Sequence, residues 1–261
     1  MGKGAAAASN SNQTAEKLLV VLEALANQSQ PMKLSELAHL IDMNASTLYR
    51  FLTALQNRGY VTQHESSGKY ALNLKLCCLA ENVKKQFSIS RLLHYAVVSV
   101  AELFQESAHL AQEENHMIVY LDNVTDNSQM LTIRQYIGRT APLHCTGIGK
   151  LFLLEYSDGE LDSLIADRGL IGYTRNTLTT KEALCRELAQ VRRQGYALDN
   201  EECELGVRCV AVPVRDYTRK VVAGLSVSGP ITRVTDEVIE EKLPRLKLIA
   251  AKASEDLGYI P

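Results

Sequence analysis

The chain has no tryptophan and only four phenylalanines among 261 residues, and aromatic side chains make up 6% of it. It has no apolar run of the ~18 residues needed to span a bilayer, and Glu23 interrupts the best stretch, near residues 18–26. Neither sign of charge dominates: 28 Lys and Arg stand against 30 Asp and Glu, a net −2. Whole-chain electrostatics therefore favours neither a nucleic acid nor a membrane surface. The six cysteines (Cys77, Cys78, Cys145, Cys185, Cys203 and Cys209) contain no CxxC pair, which predicts reduced, buried thiols and a cytoplasmic protein. The opening MGKGAAAASNSNQ holds one lysine and no apolar segment, so it does not read as a signal peptide and is expected to be a tail outside the fold. What is present, 46% hydrophobic and 22% charged residues, suits a globular chain whose length fits two modest domains.

The first 73 residues carry a recognisable order of elements. Residues 14–28 predict an amphipathic helix through Leu18, Leu22 and Leu25, and KLSELAHLIDM (33–43) a second with Leu34, Leu37, Ala38 and Ile41 inward. A third helix follows in NASTLYRFLTALQNRGYV (44–61), where Leu48, Phe51, Leu52 and Leu55 form one stripe, Asn44 is the N-cap and Gly59 the stop. YVTQ and KYALN flank HESSG with Gly68 near the tip, which predicts a β-hairpin. Three helices and a hairpin make a winged helix-turn-helix over residues 14–73.

The face of the third helix opposite its apolar stripe carries Ser46, Arg50 and Thr53, flanked by Thr47 and Tyr49, and no carboxylate. In a helix-turn-helix that helix lies in the DNA major groove, where hydroxyls can bond base edges or phosphates and Arg can grip guanine with two bonds. Lys69 and Tyr70 of the wing extend the expected contact. Residues 14–78 hold six Lys and Arg against five Asp and Glu. So small a surplus binds phosphate weakly as a single copy, and this implies pairing of two or more copies.

Residues 74–106 read as a linker and connecting helices: LKLCCLAENVKKQF (74–87), with Cys77 and Cys78 as packing residues, then a helix capped by Ser88 with a seam of Leu92, Ala96, Val100 and Leu103. From 107 to 261 strand and helix signals alternate: strands AHLAQEE, MIVYLDNV, MLTIRQY, YALD, CVAVPVRD and VVAGLSVS, helices at 146–155, 158–168 and 180–194, and a long helix at 235–257. This indicates an α/β domain on a mostly antiparallel sheet.

Three segments of this half can meet in one site. HCTGIGKLFLL (144–154) places Thr146 as the cap of a helix whose first turn holds Gly147 and Gly149, exposing backbone N–H groups to an anion. DNEECELGVRCVAVPV (199–214) puts Asp199 and Cys209 at the edges of a glycine-containing turn, and LSVSGP (225–230) puts Ser226 and Ser228 on one face of a strand. Taken singly, such glycines also serve packing, strand serines face solvent, and a cysteine sits in a core. Two other readings use the same residues. A Cys-dependent hydrolase would take Cys209 or Cys145 as nucleophile and His144 as base, but adjacent side chains in sequence diverge and no third group orients them. A metal- or thiol-responsive regulator would use His144, Cys145, Cys203 and Cys209, whose spacing matches no zinc pattern.

Together, KLSELAHLIDMNASTLYRFLTALQNRGYV, PLHCTGIGKLFL, DNEECELGVRCVAVPV and VVAGLSVSGP occur in the order and spacing of the IclR-type bacterial transcriptional regulators, which the chain resembles over essentially its full length. The resemblance implies a GAF-like effector-binding domain at 107–261 and a homodimer or homotetramer on palindromic double-stranded operator DNA. It also implies a non-enzymatic role, with no cofactor or metal. The effector pocket it implies involves Gly147, Ile148, Asp199, Cys209, Ser226 and Ser228. Family effectors are small organic, sugar or aromatic acids. Hydroxyl-rich pocket positions and the scarcity of aromatics favour a small hydroxylated acid. The position of Ile148 often holds a smaller residue in the family, which implies a narrower pocket mouth here.

Overall fold

The structure, a computed structural model, describes residues 13–79, 88–125 and 130–261. It divides into two compact units, Met1–Phe87 and Ser88–Pro261. Residues 1–12 of the opening tail and most of the sequence-predicted connecting helix 74–87 lie outside the described residues, and Gln13, the last residue of that tail, opens the first helix instead.

The first unit consists of α1 (Gln13–Ala26), α2 (Leu34–Leu40), α3 (Ala45–Asn57) and a hairpin of β1 (Val61–Gln63) and β2 (Tyr70–Leu72). Its order and type are those expected from the periodicity. Leu37, Leu48, Leu52 and Leu55 form a small core with Val21 and Leu25. Asn44 caps α3 by accepting from the Ser46 N–H at 2.9 Å, and Gly59 ends the turn at φ +75°, a left-handed conformation that a side chain disfavours. One expectation fails here. Tyr70 is only 3% exposed and belongs to this core, because the alternation of β2 turns its ring onto the helices and leaves Lys69 at the surface side of the hairpin.

The second unit is a six-stranded sheet in the order β5-β4-β3-β8-β7-β6, with every neighbouring pair antiparallel. Its strands are β3 (Ser107–Glu114), β4 (Met117–Val124), β5 (Thr140–Pro142), β6 (Ala197–Asn200), β7 (Val207–Arg215) and β8 (Val221–Pro230). The β3–β4 turn is made by Asn115 and His116 at φ 53° and 63°, the two left-handed residues of a tight hairpin. One sheet face packs on α4 (Ile89–Phe104) and α8 (Asp236–Asp256). The other packs on α5 (Gly147–Leu153), α6 (Asp158–Arg168) and α7 (Lys181–Gln194). Strand alternation sorts the residues: Val210, Val212, Val214, Ala223, Leu225 and Val227 enter the α4/α8 core, and Ala211 enters the other.

Three further expectations differ from the structure. The segment 74–106 is not a connector throughout. Helix α4 buries Leu93, Ala96, Val97, Val100, Ala101 and Phe104 in the core of the second unit, a seam wider than the single row read from sequence. MLTIRQY (130–136) forms no strand, because the free edge of β4 is occupied by Thr140–Pro142; the segment is held instead by Asn123, whose Nδ2 donates to the Gln135 carbonyl at 2.9 Å. Cys77 and Cys78 are exposed rather than packed, since residues 75–79 join none of the three hydrophobic cores.

Candidate functional site

On α3, Tyr49 and Arg50 are exposed, and Ser46 with them. Thr47, Thr53 and Lys69 are half-buried. Two hydroxyls of this face already have local partners: Ser46 Oγ donates to Asn44 at 2.7 Å and Thr53 Oγ1 to the Tyr49 carbonyl at 2.8 Å. They keep accepting capacity only, whereas Arg50 and Tyr49 present whole polar groups outward. The face is free of carboxylate, as a surface approaching phosphates requires.

The second unit contains a cavity of about 360 Å³ on the α5 side of the sheet, within the range of small-molecule sites. All six residues named for it from sequence, Gly147, Ile148, Asp199, Cys209, Ser226 and Ser228, line it. Strand register brings them together. Asp199 on β6 is paired with Cys209 on β7, Cys209 with Ser228 on β8, and the next row joins Ala211 to Ser226. The result is a polar row crossing three strands, with helix α5 above it.

The glycines of the TGIG turn set the spacing of helix and sheet. A Cβ on Gly147 would approach Ala211 Cβ to 3.1 Å, and one on Gly149 would lie 2.3 Å from the Leu143 carbonyl oxygen. The packing role of these glycines and their place in the cavity wall are one arrangement, because only a helix seated this closely brings its first N–H groups to the pocket. Thr146 caps it by accepting from Gly149 N–H at 3.1 Å. Ile148 is 2% exposed and lies over Gly224, where a Cβ would meet Ile148 Cγ2 at 2.6 Å. The bulk expected to narrow the mouth is seated against the strand by the missing side chain of Gly224.

Asp199 has two tasks. Its Oδ1 accepts from the N–H groups of Glu202, at 2.8 Å, and Cys203, at 3.3 Å, and so shapes the loop between β6 and β7. Burial pushes its carboxyl above the usual range, against those two hydrogen bonds and Lys150. Cys209 accepts from Ser228 Oγ at 3.0 Å. Burial and then Asp199 push its thiol well up, so it stays protonated and is not poised as a nucleophile. His144 and Cys145 diverge: the imidazole Nε2 meets the Ile171 carbonyl at 3.0 Å, and Cys145 Sγ lies 3.2 Å from Cys203 Sγ. Among the described residues no group of three or more His, Cys, Asp or Glu is arranged to hold a metal ion.

Two participants escaped the sequence reading. Arg139 is the one cation among the described residues that line the cavity; it follows the stretch read as a strand, and nothing in its spacing marks it. Lys150, inside the quoted TGIGK turn, is fully buried. Its Nζ donates to Glu202 at 2.5 Å, to the Leu198 carbonyl at 2.8 Å and to Glu187 at 3.0 Å. It ties α5 to the loop that carries Cys203 and Glu204 into the cavity wall. Glu202 is pushed up to about 7 by burial, offset in part by Lys150.

Comparison with known proteins agrees with both halves. Residues 14–65 match the IclR helix-turn-helix domain, and residues 82–255 match the C-terminal domain of bacterial transcriptional regulators of the IclR type. The chain is 36% identical over 245 residues to the HTH-type transcriptional regulator KdgR of Escherichia coli, covering 93% of this chain and 92% of that protein. It is 31% identical over 231 residues to the transcriptional repressor IclR of the same organism, with coverage of 88% and 84%. A solved structure of the Thermotoga maritima IclR protein superposes with a TM-score of 0.62 at 32% identity, covering 95% of this chain and 99% of that one. These relatives are regulators and repressors by name, not enzymes. No helix among the described residues is long and apolar enough to cross a membrane. A helix-turn-helix unit, a second unit with a sheet-borne polar cavity, and matches spanning both place the chain in the IclR family of bacterial transcriptional regulators.

Proposed function

We propose that this regulator acts in the cytoplasm as a homodimer or homotetramer on a palindromic operator, and that a small organic or sugar acid bound in the 360 Å³ cavity controls it. The observation that carries this reading is the lining of that cavity. The Arg139 guanidinium and the N–H groups at the start of α5 suit an acid group. Ser226, Ser228 and Asp199 suit hydroxyls, and Ile118, Ile133 and Val207 supply the apolar wall. The acid group pairs with Arg139 and backbone N–H groups and the hydroxyls with fixed polar groups, a combination that rejects purely apolar ligands. On the DNA side, Arg50 and Tyr49 are the reading groups, and Ser46, Thr47, Thr53 and Lys69 set the position on the backbone. The effector changes operator affinity only through its differential affinity for two arrangements of the assembly. Residues 74–87 are the covalent route between the two halves.

The experiment is operator titration with a duplex selected from a random pool, for wild type and for Ser226→Ala/Ser228→Ala, with and without members of a panel of small carboxylic acids. Each hydrogen bond lost to the ligand is worth ~0.5–3 kcal/mol, so the double variant needs at least several-fold more effector for the same response. Its operator affinity without effector stays unchanged. An unaltered dose-response in the double variant places the pocket elsewhere.

A further inference from the structure

The polar row on the sheet does not stop at β8. Strand β3 continues it, with Ser107 opposite Ser228 and His109 opposite Ser226. Alternation sends Ala108 and Leu110 into the α4/α8 core, so Ser107 and His109 share the cavity face with the serines. Both side chains are 1% exposed. Yet Ser107 Oγ and both ring nitrogens of His109 have no hydrogen-bond partner among the described residues. Buried polar groups are almost always paired, and an apolar side chain at either position would have satisfied the core without that cost. The two unpartnered groups are neighbours on one strand, beside two serines that line the cavity. His109 also stands edge-on to Tyr120, ring centroids 5.5 Å apart, and Tyr120 is another cavity-lining residue.

We propose that Ser107 and His109, one strand beyond the serines that line the cavity, form an inner subsite that receives a hydroxyl or carbonyl group of the effector. This rests on the acid-effector reading above and narrows its chemical class to a hydroxylated acid of several carbons. Burial lowers the imidazole to about 4, so at neutral pH the ring is uncharged and offers one donor and one acceptor. A neutral imidazole with a serine hydroxyl pairs with an alcohol in both directions. It has no charge to offer a carboxylate, which is left to Arg139 and the start of α5. The site thus combines a charged group with neutral polar ones, and an unsubstituted acid satisfies only the first.

The test uses the full chain and two sets of probes, aldonic acids of five and six carbons such as D-gluconate, and unsubstituted acids of the same length such as hexanoate. Affinities are measured by calorimetry for wild type, His109→Phe and Ser107→Ala, with operator binding as the check on folding. His109→Phe keeps a ring against Tyr120 and removes both nitrogens. The expected result is that the aldonic acids bind wild type at least about tenfold more tightly than the unsubstituted acids. His109→Phe cuts that margin several-fold and leaves hexanoate within about twofold, and Ser107→Ala reduces the margin less. If His109→Phe fails to fold, His109→Gln takes its place, since it keeps a donor and an acceptor in altered positions and should lower the margin without abolishing it. Aldonic acid binding unchanged in His109→Phe, or in His109→Gln where that takes its place, overturns the subsite and leaves the acid-effector reading standing. Tighter binding of hexanoate than of the aldonic acids overturns it too. If no acid of either set binds wild type, the acid-effector reading falls and the subsite falls with it.

Discussion

Lys150→Met is the sharpest perturbation the fold offers. The substitution keeps an unbranched stem of similar length in a fully buried position and deletes the ammonium group, which holds Glu202, Glu187 and the Leu198 carbonyl at 2.5, 3.0 and 2.8 Å. Removing one partner of a buried ion pair costs ~3–5 kcal/mol, because the other charge is left unpaired. Here the loss sits at the lower end. Glu202 is already raised to about 7 with the cation beside it, so without the cation it takes up a proton at neutral pH and remains inside as a neutral acid. The expectation is a loss of about 3 kcal/mol, or a melting temperature lower by roughly 6–12 °C for a unit of this size. The sign with pH follows from the same group. A carboxyl whose folded-state pKa is raised holds its proton in the folded state, so stability falls as pH rises through that pKa, and the deficit of Lys150→Met deepens from pH 6 to 9. Adding Glu202→Gln to Lys150→Met removes the stranded acid and restores part of the loss. Urea denaturation of the full chain followed by circular dichroism measures all three proteins. A single-variant loss below about 1 kcal/mol, or a double variant no more stable than the single, would refute the view that Lys150 is the strut between α5 and the β6–β7 loop.

The remaining expectations concern DNA, assembly and acid. Arg50→Ala weakens binding to a selected operator by ~1–3 kcal/mol while random duplex is affected less; equal losses in a gel-shift comparison reassign Arg50 to the phosphate backbone. With six basic against five acidic residues over 14–78, a single DNA-binding unit is too weakly charged to hold DNA alone. Sedimentation at micromolar concentration therefore gives a dimer or tetramer, and a monomer with and without operator contradicts the proposed assembly. His109, lowered from 6.5 to about 4 by burial, binds its proton in the unfolded chain first. Its contribution is present above pH 6.5 and is lost as pH falls through 4, about 3 kcal/mol over that window. His109→Phe removes this slope, which urea midpoints between pH 4 and 7.5 detect; a variant with the same acid sensitivity as wild type assigns that sensitivity to other groups.

Much of this protein is written in local pattern. The α3 stripe of Leu48, Leu52 and Leu55, the Asn44 cap and the Gly59 stop depend on neighbours within four residues, so the sequence alone determined the helix and the face that it turns outward. The same holds for Ser226 and Ser228, whose shared face follows from the two-residue period of β8. The family motifs then located Gly147, Asp199 and Cys209, which line the same cavity. Nothing local says that Tyr70 turns inward, that residues 130–136 lose the edge of β4 to Thr140–Pro142, or that α4 belongs to the second core. Those outcomes depend on which surfaces compete for one place. Lys150 and His109 are the clearest cases. An ammonium in a helix and an imidazole in a strand read as surface polarity until the sheet register and the packing of α5 bury them. The partners of Lys150 lie 37 to 52 residues along the chain, and the ring nitrogens of His109 find no hydrogen-bond partner among the described residues. Pairing over such separations is set by tertiary structure, because only there does the cost of burying a polar group find, or fail to find, its compensation.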